Sequence, residues 1–280
     1  MVSFATRSPP AAVSGLSASD FPEPSPLNTV AICGRRADKL SEAKFKLPKL
    51  VTVVCDVAKA EERVKLHDWA IKELPQLNVL VNNAGVQRRD RWTTQPPTWS
   101  ERQSEIATNL EAPVHLVDLF LLHLMKQSSS KIVNVSSGLA FVPSAFAAVY
   151  GATKAALHSF TMALRHLLAN TSVTVVEIVP PAVNTDLGGV GLHNNGVPLD
   201  EFADAIMKRV EAGELEIGYQ FSEKGRRASR GESFQHILKI AVEEDIIHSV
   251  RVTRVNLLRK RLVGSHAPQC RGSLAKSAPS

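Results

Sequence analysis

Tyr150 and Lys154 stand four residues apart in "VYGATKAAL", at the start of a stretch with helical apolar spacing. Their side chains therefore share one helix face. A phenol titrates near ~10 and is a poor proton donor or acceptor at neutrality. An ammonium one helical turn away favours the phenolate and lowers that value. Ser137 closes the β-branched run "KIVNVSS" thirteen residues before the tyrosine. Its hydroxyl can return to the same spot and hydrogen-bond a substrate oxygen. The chemistry these types allow is proton transfer at a substrate oxygen. A lone Tyr-x-x-x-Lys also arises by chance on helices, so the surrounding elements decide its meaning.

Those elements alternate. "NTVAIC" (28–33), "LVTVVCD" (50–56), "LNVLVN" (77–82), "KIVNVS" (131–136) and "SVTVVEIVP" (172–180) read as strands. Their near-continuous apolar character suits parallel strands covered on both faces. Ala58–Leu74, Trp99–Lys126 and Val149–Asn170 carry apolar residues at three- and four-residue spacing and read as helices. Strand alternating with helix predicts an α/β fold, a doubly wound parallel sheet of Rossmann type, over residues 28–222. Beyond Pro180, "NTDLGGVGLHNNGVPLDE" reads as a mobile loop before a helix over Leu199–Ala212, and "ELEIGYQF" as a last strand. Residues 1–27 form a divergent, irregular segment. Residues 223–280 form a basic extension, partly helical over Phe234–Val263 and then disordered.

The charge is uneven. The chain of 280 residues carries a net +6, yet from Glu223 onward twelve Lys/Arg face five Asp/Glu, so the preceding part is close to neutral. Cys33, Cys55 and Cys270 make no disulfide framework, and two of them sit inside apolar runs, which points to a reducing, cytoplasmic setting. The most apolar stretch, Ala112 to Met125, is broken by His115, Asp118 and His123, so no membrane helix is expected. The nine histidines contain no His-x-x-x-His pair, and no metal site is signalled. Asp118, near His115 and His123, reads as helix surface or subunit contact rather than part of a triad. "LLRKRLV" (257–263) lacks interleaved aromatics and reads as a solvated face rather than a nucleic-acid contact.

"LVNNAG" (80–85) follows one strand, "CDV" (55–57) ends another and "TNLEAPVHL" (108–116) lies in a helix. With "VNVSSG" and "YGATK", in this order and spacing, the chain resembles the short-chain dehydrogenase/reductase family from about Asn28 to Arg230. "ICGRRADKL", "SSGLAFVP", "VYGATKAALHSFT", "PPAVNTDL" and "FSEKGRRASR" resemble its DltE-like oxidoreductase branch more closely. The resemblance implies a hydride-transferring oxidoreductase acting on a small carbonyl or secondary alcohol, assembled as a homodimer or homotetramer. It implies Tyr150 as general acid/base and Lys154 as the group that lowers the Tyr150 pKa and holds the nicotinamide ribose. Ser137 would orient the carbonyl, and Asn109 would anchor a proton relay behind Lys154. Asp56 and Val57 would border the adenine, and Asn83, Ala84 and Gly85 would line the cofactor. Pro180, Val183 and Thr185 would meet the nicotinamide end. Family members that prefer NAD tend to place an acid after the second strand. Here Gly34 stands there, followed by Arg35 and Arg36, which favours NADP through contact with a 2′-phosphate.

The N-terminus departs from that family. Its Thr-Gly-x-x-x-Gly-x-Gly loop lets backbone N–H groups and a helix N-terminus approach the pyrophosphate. Before Gly34 this chain has one glycine, Gly15, and Pro22, Pro24 and Pro26 argue against the following helix. The first strand and first helix are thus expected to be degenerate or missing, with "VSFAT" (2–6) as a stunted candidate for the central strand. Divergence at both ends raises the expectation of a mispredicted or truncated product of an ordinary reductase gene. The alternative reading is a catalytically impaired relative or interaction subunit that keeps the fold but cannot hold a dinucleotide.

Overall fold

A computed structural model describes the backbone of residues 2–6 and residues 29–89, 96–229 and 231–232. Gly15, the prolines of 7–28, the basic stretch 234–263 and the tail lie outside the described residues. Seven strands are described: β1 (Val2–Thr6), β2 (Thr29–Gly34), β3 (Val51–Val54), β4 (Leu77–Asn82), β5 (Ser130–Val135), β6 (Val173–Val179) and β7 (Glu216–Gly218). The described α-helices are α1 (Ala37–Lys46), α2 (Ala60–Glu73), α3 (Trp99–Ile106), α4 (Ala112–Met125), α5 (Ala148–Leu167), α6 (Leu199–Glu211) and α7 (Phe221–Arg227). The strands form one sheet in the order β3-β2-β1-β4-β5-β6-β7.

Both faces are covered, as the apolar runs predicted. One core packs Leu66 and Ala70 of α2, Leu116, Phe120 and Leu124 of α4 and Leu164 of α5 against Leu80, Ile132 and Val175. The other packs Leu40 of α1 and Phe202, Ile206 and Val210 of α6 against Ile32, Val81, Val133 and Ile178. Alternate residues of β2, β4, β5 and β6 feed opposite cores, the two-residue period of a pleated sheet.

Residues 2–6 do fill the central slot, but in the opposite direction. β1 pairs antiparallel with β2 (Phe4 opposite Ala31) and with β4 (Phe4 opposite Leu80). The remaining pairs, β2–β3, β4–β5, β5–β6 and β6–β7, are parallel. The expected all-parallel sheet is therefore mixed at its centre. A parallel β1 would need a crossover to the far edge of β2, ordinarily a helix. Five prolines between Thr6 and Thr29 disfavour one. With β1 reversed, Thr6 lies opposite Thr29 at one end of the strands. Val2, opposite Cys33 and Asn82, lies at the other edge, where the parallel strands end.

Three elements were not legible in the sequence. The "RRADKL" segment opens α1, whose Arg36 N-cap makes no side-chain cap. Phe221, expected to close a strand, instead begins α7. The helix over 99–126 contains a π-helical turn, Ala107–Glu111, between α3 and α4.

Candidate active site

The π-helical turn sets the site's rear wall. Its extra residue re-aims the helix face locally, and Asn109 at its middle is fully buried. The Asn109 side chain accepts from the Val86 N–H (2.8 Å) and donates to the Val86 carbonyl (2.8 Å) and to Thr153 Oγ1 (3.2 Å). The Thr153 hydroxyl donates to the Tyr150 carbonyl at 2.7 Å. One amide thus joins the turn after β4 to the first turn of α5. Gly85 lies in the same corner, where an added Cβ would stand 3.8 Å from both Asn109 Oδ1 and Lys154 Nζ.

α5 delivers Tyr150 and Lys154, both buried. The Lys154 ammonium donates to the Val135 carbonyl at the end of β5 (2.8 Å) and lies 5.7 Å from the Tyr150 ring centroid. Ser137 follows β5 in extended conformation; its oxygen accepts from the Leu139 N–H (3.2 Å), and its hydroxyl is hydrogen-bonded to the Tyr150 oxygen. Gly138 N–H donates to the Pro180 carbonyl at 2.9 Å, closing the ends of β5 and β6 together. A Cβ at Gly138 would meet Ser222 Cβ at 3.1 Å, so a side chain here would push α7 away.

Burial governs the electrostatics. It pushes the Tyr150 phenol up to about 12, against the Ser137 hydrogen bond and with help from Glu105. Burial also brings the Lys154 ammonium down to about 8, opposed by Glu177. The expected lowering of the tyrosine by its lysine neighbour is therefore not found. The ammonium is engaged by the Val135 carbonyl, and loss of water disfavours the phenolate more than any nearby charge favours it.

Every residue of the expected cofactor strip lies at the carboxyl ends of the parallel strands, where ligands of doubly wound sheets bind. Arg35 follows β2 and is exposed. Asp56 and Val57 follow β3. Glu62 accepts from the Asp56 N–H (2.6 Å), and Arg63 donates to the Val57 carbonyl (2.7 Å). Asn83, Ala84 and Gly85 follow β4, and Pro180 follows β6. Val183 bridges to Val197, and Thr185 is bonded locally to Val183 and Leu187. Asn109, Ser137, Tyr150 and Lys154, a quartet of candidate catalytic residues, converge directly with Gly85. Arg35, Asp56 and Val57 stand on the other side of β1.

A dinucleotide fits this strip at its two ends. At one end are the quartet and the open backbone of Gly85. At the other is Arg35, which with Arg36 has no ion-pair partner among the described residues. The centre differs, because the start of the reversed β1 lies where a strand would run into the glycine loop. Among the described residues no glycine-loop amides face that position.

Several site residues escaped sequence reading. Buried Arg63 spans from the Val57 carbonyl to Glu111 (2.6 Å) and His115 (2.8 Å), tying the β3 edge to the helix that carries Asn109. Glu105, four residues before Asn109, accepts from the Arg88 N–H at 3.2 Å. Gln87 meets His193 of the 186–198 loop at 3.2 Å, and Arg89 lies 5.4 Å over the Phe146 ring. Helical spacing could have signalled Glu105. The others meet across long sequence separations.

The model of the short chain dehydrogenase family matches residues 27–193. An uncharacterized oxidoreductase of Bacillus subtilis, DltE, is 45% identical over 210 residues, 73% of this chain and 83% of its own length. The chain belongs to the short-chain dehydrogenase family. An uncharacterized oxidoreductase of Staphylococcus epidermidis is 31% identical over 57% of the chain and 69% of its own length. A Burkholderia cenocepacia short chain dehydrogenase solved in complex with NADP superposes with a TM-score of 0.63, at 23% identity, over 74% of this chain and 84% of that one. A Streptomyces avermitilis member gives 0.62 at 21% identity, over 81% and 88%. These likenesses show a Rossmann-type fold. With the family they make the chain an NAD(P)-dependent oxidoreductase by resemblance. No described helix is long and apolar enough to cross a membrane.

Proposed function

We propose that this chain is an NADP-dependent oxidoreductase that reduces a small carbonyl compound, or oxidises the matching secondary alcohol, with Tyr150 as proton donor. The observation that carries the reading is the buried convergence of Asn109, Ser137, Tyr150 and Lys154 at the ends of β4 and β5. When bound, the nicotinamide supplies the hydride. Tyr150, held as a phenol at neutral pH by its burial, gives its proton to the carbonyl oxygen. Ser137 bonds that same oxygen and stabilises its developing charge. Lys154 and the Val135 carbonyl hold the cationic side of the site. Asn109 keeps the Val86 turn and the Thr153 turn in register. Asn83, Ala84, Gly85, Pro180, Val183 and Thr185 would line the nicotinamide half. Asp56 and Val57 would border the adenine, and Arg35 would meet the 2′-phosphate.

The NADP-bound relative supports the cofactor class, and the arginine pair after β2 supports the phosphate. Buried thiols at Cys33 and Cys55 support a cytoplasmic setting. Exposed Leu122 of α4 and Met162 and Leu167 of α5 support self-association as a dimer or tetramer. The second reading, an impaired relative, is favoured by one observation, the reversed β1 at the pyrophosphate position.

The test is NADPH consumption against a panel of ketones and aldehydes. Tyr150→Phe is expected to lower kcat by about 10²–10⁴-fold while leaving NADPH affinity unchanged. The pH dependence follows from Lys154: its cation is lost as pH rises through about 8, so kcat falls above that pH while Tyr150 stays protonated. Turnover equal in wild type and Tyr150→Phe would remove the tyrosine from the chemistry.

A further inference from the structure

The stripe of α5 that carries Tyr150 and Lys154 continues one turn further to His158. There the imidazole Nδ1 lies 2.8 Å and 3.0 Å from the two oxygens of Glu177 on β6. The Glu177 side chain is fully buried, and the imidazole is half-buried. Glu177 belongs to a polar row that crosses the sheet in register: Asn82 of β4, Asn134 of β5, Glu177 of β6 and Glu216 of β7. Asn82 donates to Asn134 at 2.9 Å, and Asn134 donates to Thr161 of α5, also at 2.9 Å. Next along the strands, Val135 lies opposite Ile178, and the Val135 carbonyl holds the Lys154 ammonium. The buried carboxylate thus lies one residue along the sheet from the register that grips the lysine.

A buried ammonium needs a counter-charge, because burial without one drives it to the neutral form. No described carboxylate pairs with Lys154 directly, and Glu177 is the acid that acts on it. We propose that Glu177 and His158 are positioning residues for Lys154: the carboxylate sustains the ammonium charge, and a proton on the imidazole cancels that support. This rests on the oxidoreductase reading above. The groups facing His158 are Glu177 from β6, Glu216 from β7, Arg165 from α5, and the Phe141 ring at 4.4 Å, while Lys154 lies one turn away on the same stripe of α5. Arg226 of α7 holds Glu216 at 3.2 Å, and Arg165 lies 3.8 Å from its other oxygen. Glu216, paired with these arginines, still adds to the proton affinity of His158, but Glu177 is the anion that acts on both His158 and Lys154. The same arginines argue against a cation between His158, Glu177 and Glu216, although their donor atoms lie within 4.8 Å of one another.

The sign follows from the pairing. Glu177 raises the proton affinity of His158, so the imidazolium–carboxylate pair is fully present below the ordinary histidine range and is lost as pH rises through the folded value. Support for Lys154 then grows over the same interval, until the ammonium itself titrates.

Two measurements test this. The first follows the His158 imidazole by NMR against pH in wild type and Lys154→Met, with His158→Gln to assign the signal. Removing the ammonium should raise the His158 midpoint by about half a unit or more, because coupling between two sites is reciprocal. The second compares pH profiles of kcat for wild type and Glu177→Gln. The alkaline limb should move to lower pH by about one unit. A merely structural Glu177 would lower Tm and leave the limb in place. An unmoved His158 midpoint, or a folded Glu177→Gln with the wild-type limb, overturns the proposal. If wild type turns over no carbonyl, the oxidoreductase reading fails, and the NMR comparison alone still decides the coupling. It also decides if Glu177→Gln does not fold.

Discussion

The two halves of the sheet differ in how they build the same edge. In the half formed by β4, β5, β6 and α5, functional side chains are buried and bonded to one another or to strand-end carbonyls. In the half formed by β1, β2 and β3, strand direction itself has changed, and the candidate ligand group Arg35 stands exposed. The difference teaches that proton chemistry and cofactor phosphate binding have separate structural requirements. The first needs helix spacing and strand ends, which place the candidate residues Asn109, Ser137, Tyr150 and Lys154 together here. The second needs a parallel strand running into a tight turn, and the reversed β1 does not supply one.

The largest effect should come from breaking the shared centre. Phe4 of β1 lies in register with both neighbours, and proline there removes a ladder hydrogen bond in the middle of a sheet, where proline is not tolerated. Phe4→Pro is expected to lose the cooperative unfolding transition in urea. Unchanged stability would mean that residues 2–6 do not occupy the slot.

Asn109→Ala should have a smaller effect, confined to the catalytic half. It strands the Val86 N–H and carbonyl, each costing about 1–3 kcal/mol when buried without a partner. Thermal melting should show that loss, and kcat should fall with it. Stability close to wild type would show that the bridge between the β4 turn and α5 is dispensable. Arg35→Glu should be the mildest: folding unchanged, and NADPH affinity lowered about tenfold with NADH affinity retained, as expected for losing one charged contact. Equal loss for both nucleotides would place Arg35 away from the 2′-phosphate.

Much of this was legible before any coordinates. The five apolar runs became β2 to β6 because strands buried on both faces leave an unbroken β-branched signature. Tyr150 and Lys154 share a stripe because helical spacing fixes it. The direction of β1 was not legible: five residues carry no sign of polarity, and the choice depends on how the connecting segment returns. The π-helical turn at Asn109 left no mark either, since one extra residue only blurs the 3.6-residue period. The Tyr150 shift was misjudged because sequence shows the lysine four residues away but not the burial that outweighs it. The His158–Glu177 contact joins residues nineteen apart across helix and sheet, and only packing reveals it.

The most direct test of the central claim, an intact proton-transfer site beside an altered cofactor edge, is titration of the folded protein with NADPH and NADH by nucleotide fluorescence. The account predicts saturable NADPH binding that exceeds NADH binding. Folded protein that binds neither nucleotide would contradict it and leave the impaired-relative reading in its place.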